Sequence, residues 1–345
     1  MKICTNKERY VLVILILILI LSIGFFSVIG TANITVADSF RIVGSKIPRI
    51  RDFVDISDIT ESHQTIIWSI RFPRVLLGVL VGASLSMAGA AFQGILKNPM
   101  ADPYVIGISS GAALGATIAI VSGIKSIFNS MSSISFFAFI GALITVFVVY
   151  NIARIKTKVP VSTLLLAGIA LGQFLTAIMS FLMVIYSKDM AKIIYWTMGN
   201  LGGKGWDPIL KISIPVIISM ILINFFARDL NIMLMGEETA KSLGVDTEKT
   251  KIYILVLGTF MVSMVVSISG IIGFVGLIIP HIVRILLGPD HRILLPASAL
   301  IGGIFMVLAD TIARTIISPV EIPVGIITAL FGGPFFLYLL RRSKR

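Results

Sequence analysis

Apolar residues in this chain come in long blocks, not at the spacing of an amphipathic helix or strand. Tyr10–Gly30 is a 21-residue stretch without a charge, and similar blocks occupy Val75–Leu96, Tyr104–Gly123, Ile134–Ile152, Val159–Ser187, Pro208–Ala227, Ile252–Leu287, Ile293–Ile317 and Ile322–Leu340. About 20 apolar residues, rising 1.5 Å each, cross the ~30 Å hydrocarbon core of a bilayer. Lipid offers no hydrogen bonds, so each block must satisfy its own backbone, which an α-helix does.

The block Ile252–Leu287 has 36 residues. As one helix it would reach ~54 Å, too long for a single crossing. Ser267-Ile-Ser-Gly270 offers a small-residue break, so two helices are expected. The predicted fold is therefore all-α, a polytopic membrane protein with about ten transmembrane helices in one domain over 1–345. The expected spans are 10–30, 75–96, 104–123, 134–152, 159–187, 208–227, 252–268, 271–287, 293–317 and 322–340.

Composition agrees with this pattern. Hydrophobic residues make up 57% and charged residues 13%, with mean hydropathy +1.01, against ~25% charged in a soluble domain. The net charge of +12 does not signal nucleic acid, because the basic residues sit in short clusters between apolar blocks, as loops at an anionic membrane surface do. Ten spans with both ends in the cytoplasm put more than half of the 29 basic residues on the cytoplasmic side, including the tail 341–345. The basic N-terminus resembles a signal peptide, but those have apolar cores of only about 7–15 residues, so an uncleaved first span is expected. Stretches such as GASLSMAGAAFQG and ASALIGG supply small residues for close helix packing.

Catalytic motifs are missing. There is no GxxxxGK[ST] phosphate loop, no HExxH and no nucleophile elbow, and His63, His281 and His291 are scattered. Cys4 is the single cysteine, which excludes an internal disulfide. No enzyme activity and no cofactor are expected. Asp310 is the one acid well inside an apolar block, thin support for an ion-coupled carrier, which needs ionisable groups near the midplane. Between the sixth and seventh spans, Gly236–Gly244 reads as a short helix. Glu237 and Glu238 lie in its first turn, Lys241 near its end and Gly244 at its stop. It suits either an ordinary loop helix or a docking helix for a cytoplasmic partner.

Long stretches resemble a known family. RFPRVLLGVLVGASLSMAGAAFQGILKNPMADPYVIGISSGA, LLLAGIALG, YWTMGNLGG, GEETAKSLGVD, GIIGFVGLIIPHIVR, GPDHRILLPASALIGGIFMVLADTIAR and EIPVGIITALFGGPFFLYLL run from Arg71 to Leu340. They are similar to the FecCD-type permease subunits of ABC importers for iron-siderophores, haem and cobalamin. The resemblance implies a cobalamin-permease-like bundle of ten spans. It also implies a second permease subunit, expected to be an identical copy, two ATPase subunits that bind the ATP, an extracytoplasmic substrate-binding protein, and a metal chelate as cargo.

The resemblance assigns residues as well. The helix 236–244 would couple to the ATPase through Glu237, Glu238, Ala240, Leu243 and Gly244. A cytoplasmic gate would form at Asn98 and Met100, with Val161 and Ser162 as its second element, although Val161 replaces a small polar residue found in the best-known relative. Arg71, Arg74 and Arg314 would grip acidic residues of the binding protein. Ferric siderophore is the first expectation for the cargo, then cobalamin and haem. Readings from other classes are a secondary carrier using Asp310 and a membrane scaffold. Dependence of uptake on a separate ATPase separates the importer from both.

Overall fold

The structure is a computed structural model that describes residues 6–342 apart from 31, 33, 50, 125, 129, 130 and 157. Helix α1 (Asn6–Val28) is followed by a loop carrying α2 (Val36–Gly44). A long helix then starts as α3 (Glu61–Thr65), passes through a π-helical turn at Ile66–Arg71 and continues as α4 (Phe72–Ile95). Next come α5 (Ile108–Ser122), a small hairpin of Ser126–Phe128 with Met131–Ser132, α6 (Ser133–Ala153), α7 (Val161–Ile185), α8 (Met190–Thr197) and α9 (Trp206–Phe225). Two short helices, α10 (Ala227–Met233) and α11 (Glu237–Ser242), lead to α12 (Thr247–Ser269), α13 (Val275–Leu287), α14 (His291–Thr315) and α15 (Val324–Arg342).

Among the described residues, seven helices are long and apolar enough to cross a membrane, and Ile108–Ser122, Val275–Leu287 and Val324–Tyr338 are shorter apolar helices. Each of these helices overlaps one of the apolar blocks of the sequence, several of them starting before it. The chain is a multi-pass membrane protein.

Helix α4 is the centre of the bundle and is buried along almost its whole length. It packs against α12, α13 and α14. Close approach explains its glycines: a Cβ on Gly82 would overlap the carbonyl oxygen of Gly302 in α14, and one on Gly89 would overlap that of Gly276 in α13. In lipid, packing rather than water exclusion holds helices together, so such backbone contacts carry the association. By contrast, α7 buries only Leu164 and Gly168. Its Leu166, Phe174, Phe181 and Val184 are exposed and must face lipid or another subunit.

The long block at 252–287 is divided as its small residues suggest. Helix α12 ends at Ser269, and α13 begins at Val275 after Phe274, which has a left-handed φ of 69°. With 13 residues, α13 spans only ~20 Å. The non-helical segment before it has its polar groups answered inside the protein. Ser269 O accepts the Asn200 amide at 2.7 Å, and Ile272 N–H donates to the Tyr104 hydroxyl at 3.4 Å. Irregular backbone within a membrane protein is tolerated only where protein or water satisfies it in this way.

Two elements differ from expectation. The second span begins at Glu61, well before Val75, because polar Glu61–Gln64 hides a helix that Thr60 caps by accepting the His63 amide. Trp68, Phe72 and Trp206 then pack together, with Trp206 Nε1 donating to Trp68 O at 2.8 Å. The first loop also folds. Ile34, Ile42, Ile59 and Ile67 form a separate small core, and Arg41 clamps Asp58 through both nitrogens at 2.9 and 2.6 Å.

Candidate functional site

At the bundle end opposite α11, the three arginines expected to be free for docking are interior. Arg71, Arg74 and Arg314 are 5%, 7% and 6% exposed. Arg71, at the end of the π turn, donates to Val28 O and to Ala32 O, and Arg314 donates to Phe26 O. The last four carbonyls of a helix lack intrahelical partners, and those of α1 include Phe26 and Val28. The two guanidiniums therefore cap the C-terminus of α1, where a cation also suits the helix dipole.

Arg74 is engaged on both of its edges. Its Nε and Nη2 meet the Asp310 carboxylate at 2.9–3.1 Å, and its Nη1 meets Glu321 at 2.8 and 3.0 Å. A bidentate guanidinium–carboxylate pair is the strong form of this contact. Asp310 is 2% exposed and wholly committed to Arg74, so it is not a free site for a coupling ion. The carrier reading loses its one residue.

At the other end, α11 projects with a finished stop. Val245 N–H donates to Ala240 O at 2.9 Å and Gly244 N–H to Lys241 O at 2.9 Å, the paired bonds of a Schellman ending, with Gly244 at φ 82°. Glu238, Leu243 and Gly244 are exposed, as are Leu234 and Met235 just before the helix. Ala240 is fully buried in the single chain, facing the bundle where α10 and α12 lie against that side of α11. The Lys251 ammonium, hydrogen-bonded to Glu237 at 2.7 Å, holds that carboxyl below the ordinary glutamate range, and Lys97 and Lys241 add to the effect.

Both expected gate segments lie at this same end. Asn98 is exposed and accepts the Met100 amide at 2.9 Å in a tight turn after α4, with Met100 half-buried. Ser162 is exposed and Val161 half-buried at the start of α7. Val161 lines a small cleft together with Ile95 and Leu96, so the end of α4 and the start of α7 are neighbours.

Among the described residues no three His, Cys, Asp or Glu side chains converge on a metal-binding point. His291 instead pins α14 to α10, with its amide and Nδ1 both at Asn231 Oδ1, 2.8 and 2.9 Å away.

Residues 13–342 match the model of the FecCD transport family. The chain belongs to that family. The cobalamin import system permease protein of Halobacterium salinarum is 47% identical over 82% of this chain and 75% of its own length. An Fe(3+)-citrate import system permease of Bacillus subtilis is 36% identical over 100% and 99%. A solved metal-chelate-type ABC transporter in an inward-facing conformation superposes with a TM-score of 0.83 at 30% identity, covering 97% of this chain and 99% of that one.

As a FecCD-family chain it is an ABC importer permease, a membrane subunit and not an enzyme itself. Sequence reasoning passed over two features of this FecCD chain. One is the exposed pair Leu234 and Met235, signalled by two apolar residues directly before the Gly236 turn. The other is the folded first loop, signalled by Thr35 three residues before Asp38, where Thr35 Oγ1 accepts the Asp38 amide at 3.1 Å.

Proposed function

We propose that the whole chain works as one transmembrane domain, pairing with a second copy to import a bulky metal chelate. The observation that carries this reading is the near full-length likeness to a metal-chelate-type ABC transporter. The apolar faces of α7 and α15, exposed in the single chain, supply a surface for the second copy. In this reading both chain ends and α11 face the cytoplasm, and an ATPase subunit docks on Glu238, Leu243, Gly244, Leu234 and Met235. Asn98, Met100, Val161 and Ser162 form the cytoplasmic gate. An extracytoplasmic binding protein delivers cargo at the opposite end, on surface groups rather than on the buried arginines.

Cobalamin is the cargo to examine first, on the likeness to the Halobacterium permease. Ferric siderophore, expected from the sequence, is not singled out by these relatives. The permease is co-purified with its ATPase and reconstituted, and binding protein loaded with cobalamin, ferric citrate or haemin is added. Stimulated ATP hydrolysis with one of the three supports the importer and names the cargo class. Absence of any ATPase bound to the permease overturns the reading.

A further inference from the structure

A line of polar contacts leaves the α11 helix and ends beside α7. Glu237 Oε1 in α11 lies 2.7 Å from Lys251 Nζ in α12, and the same ammonium lies 3.0 Å from Glu248 Oε1. The second oxygen of Glu248 accepts the backbone N–H of Val159 at 3.1 Å. Two residues separate Val159 from Ser162. Glu248 and Lys251 stand one turn apart on the same face of α12, the spacing at which helical side chains meet.

Three features make this line stiff. Lys251 is 6% exposed, so its ammonium cannot exchange a carboxylate for water without leaving a buried charge unpaired. Pro160 follows Val159 with its own φ fixed, and it restricts Val159 to extended backbone. Before them, Ile155 and Lys158 exchange backbone hydrogen bonds of 2.9 and 3.1 Å across a tight turn. A displacement of the Glu248 carboxylate is thus transmitted to Val161 and Ser162 rather than absorbed in a slack loop.

We propose that Lys251 and Glu248 are positioning residues that tie the ATPase-docking helix to the cytoplasmic gate through the Val159 amide. The inference rests on the docking and gating roles proposed above. Lys251 is too buried to touch an ATPase subunit, and among the described residues Glu248 reaches the Glu237 side chain of α11 through Lys251, so their loss separates ATPase binding from gate movement.

The permease–ATPase complex is reconstituted in lipid from a Cys4→Ser background carrying a spin label at Ser162→Cys. The distance between the two labels is measured without nucleotide and with ATP and vanadate. The wild-type contact set and Lys251→Arg are expected to show a nucleotide-dependent shift. Lys251→Met and Glu248→Ala are expected to bind ATPase normally and hydrolyse ATP while the shift falls at least several-fold. Glu248→Ala leaves the Glu237–Lys251 pair in place, so it reports on the Val159 link alone and keeps the question open to decision even where Lys251→Met fails to fold. An undiminished shift in folded Glu248→Ala overturns the relay while the importer reading stands. An otherwise wild-type chain that binds no ATPase overturns both.

Discussion

Arg74 and Asp310, 236 positions apart, form a bidentate pair with three contacts of 2.9–3.1 Å in the interior where α4 meets α14. The pair joins the two helices that meet backbone to backbone at Gly82 and Gly302. Removing one partner of a buried pair leaves an uncompensated charge and costs about 3–5 kcal/mol, whereas replacing both with apolar residues is often close to neutral. Arg74→Met and Asp310→Asn are each expected to lower thermal stability in detergent sharply, and Arg74→Met with Asp310→Leu to recover much of the loss. A double variant as unstable as the worse single one would contradict this pairing.

Arg71 and Arg314 cap the end of α1 from within. Charge reversal at Arg71 places a carboxylate against the Val28 and Ala32 carbonyls, an unsatisfied buried charge of the kind that costs several kcal/mol. Arg71→Glu is therefore expected to lower the yield of folded protein, measured by monodispersity on gel filtration. Normal folding with weakened binding-protein docking alone would return these arginines to a docking role.

How much of this was open to reading before the structure depends on the kind of signal. Spans were legible because each is a continuous apolar block, and the break near Gly270 was legible because small residues interrupt one. The site residues were legible only through motif resemblance, which gives identity without orientation. The burial of Ala240 against α12, and of Arg71, Arg74 and Arg314 against carbonyls and carboxylates from distant positions, could not be read from the motifs. Their partners Phe26, Val28 and Asp310 lie 43 to 288 residues away in sequence, and no local pattern encodes such a pairing.

Helix contact through glycine gives a second stability prediction. A methyl on Gly89 would overlap the Gly276 carbonyl, which is backbone and cannot swing aside. Overpacking of a close-packed core costs about 1–3 kcal/mol, so Gly89→Ala should lower the melting temperature. Gly123→Ala is the control, because its Cβ would meet nothing within 4 Å. At its φ of 67°, that change costs about 1 kcal/mol of backbone strain alone. Equal effects at the two positions would argue against close packing at Gly89.

The docking role proposed for α11 should be separable from the fold. Leu243 is 56% exposed and Met235 68%, so Leu243→Asp and Met235→Asp are expected to leave the unfolding free energy within about 0.5 kcal/mol of wild type. Both should weaken ATPase capture at least tenfold, read by co-purification or surface binding. Gly244→Pro removes the N–H that Lys241 O accepts and cannot adopt φ 82°, so it should loosen the helix end as well.

Acid should loosen α11. Glu237 is held below its ordinary pKa by the Lys251 hydrogen bond, so its contribution to stability is full above the unfolded glutamate value of about 4.3 and is lost as pH falls through the lower folded value. The carboxylate is 40% exposed, so the effect is modest after solvent screening. Hydrogen exchange of the α11 amides in wild type and Glu237→Gln should differ at neutral pH and converge in acid. A difference that grows in acid would reverse the sign and contradict the pairing.

In the proposed function this permease moves its cargo on ATP hydrolysed by a partner. Proteoliposomes holding the permease and its ATPase, supplied with binding protein loaded with labelled cobalamin or ferric citrate, test it most directly. Uptake should require internal ATP and should persist when ionophores abolish the proton and sodium gradients. Uptake that continues without ATP and collapses with the gradients would contradict the account.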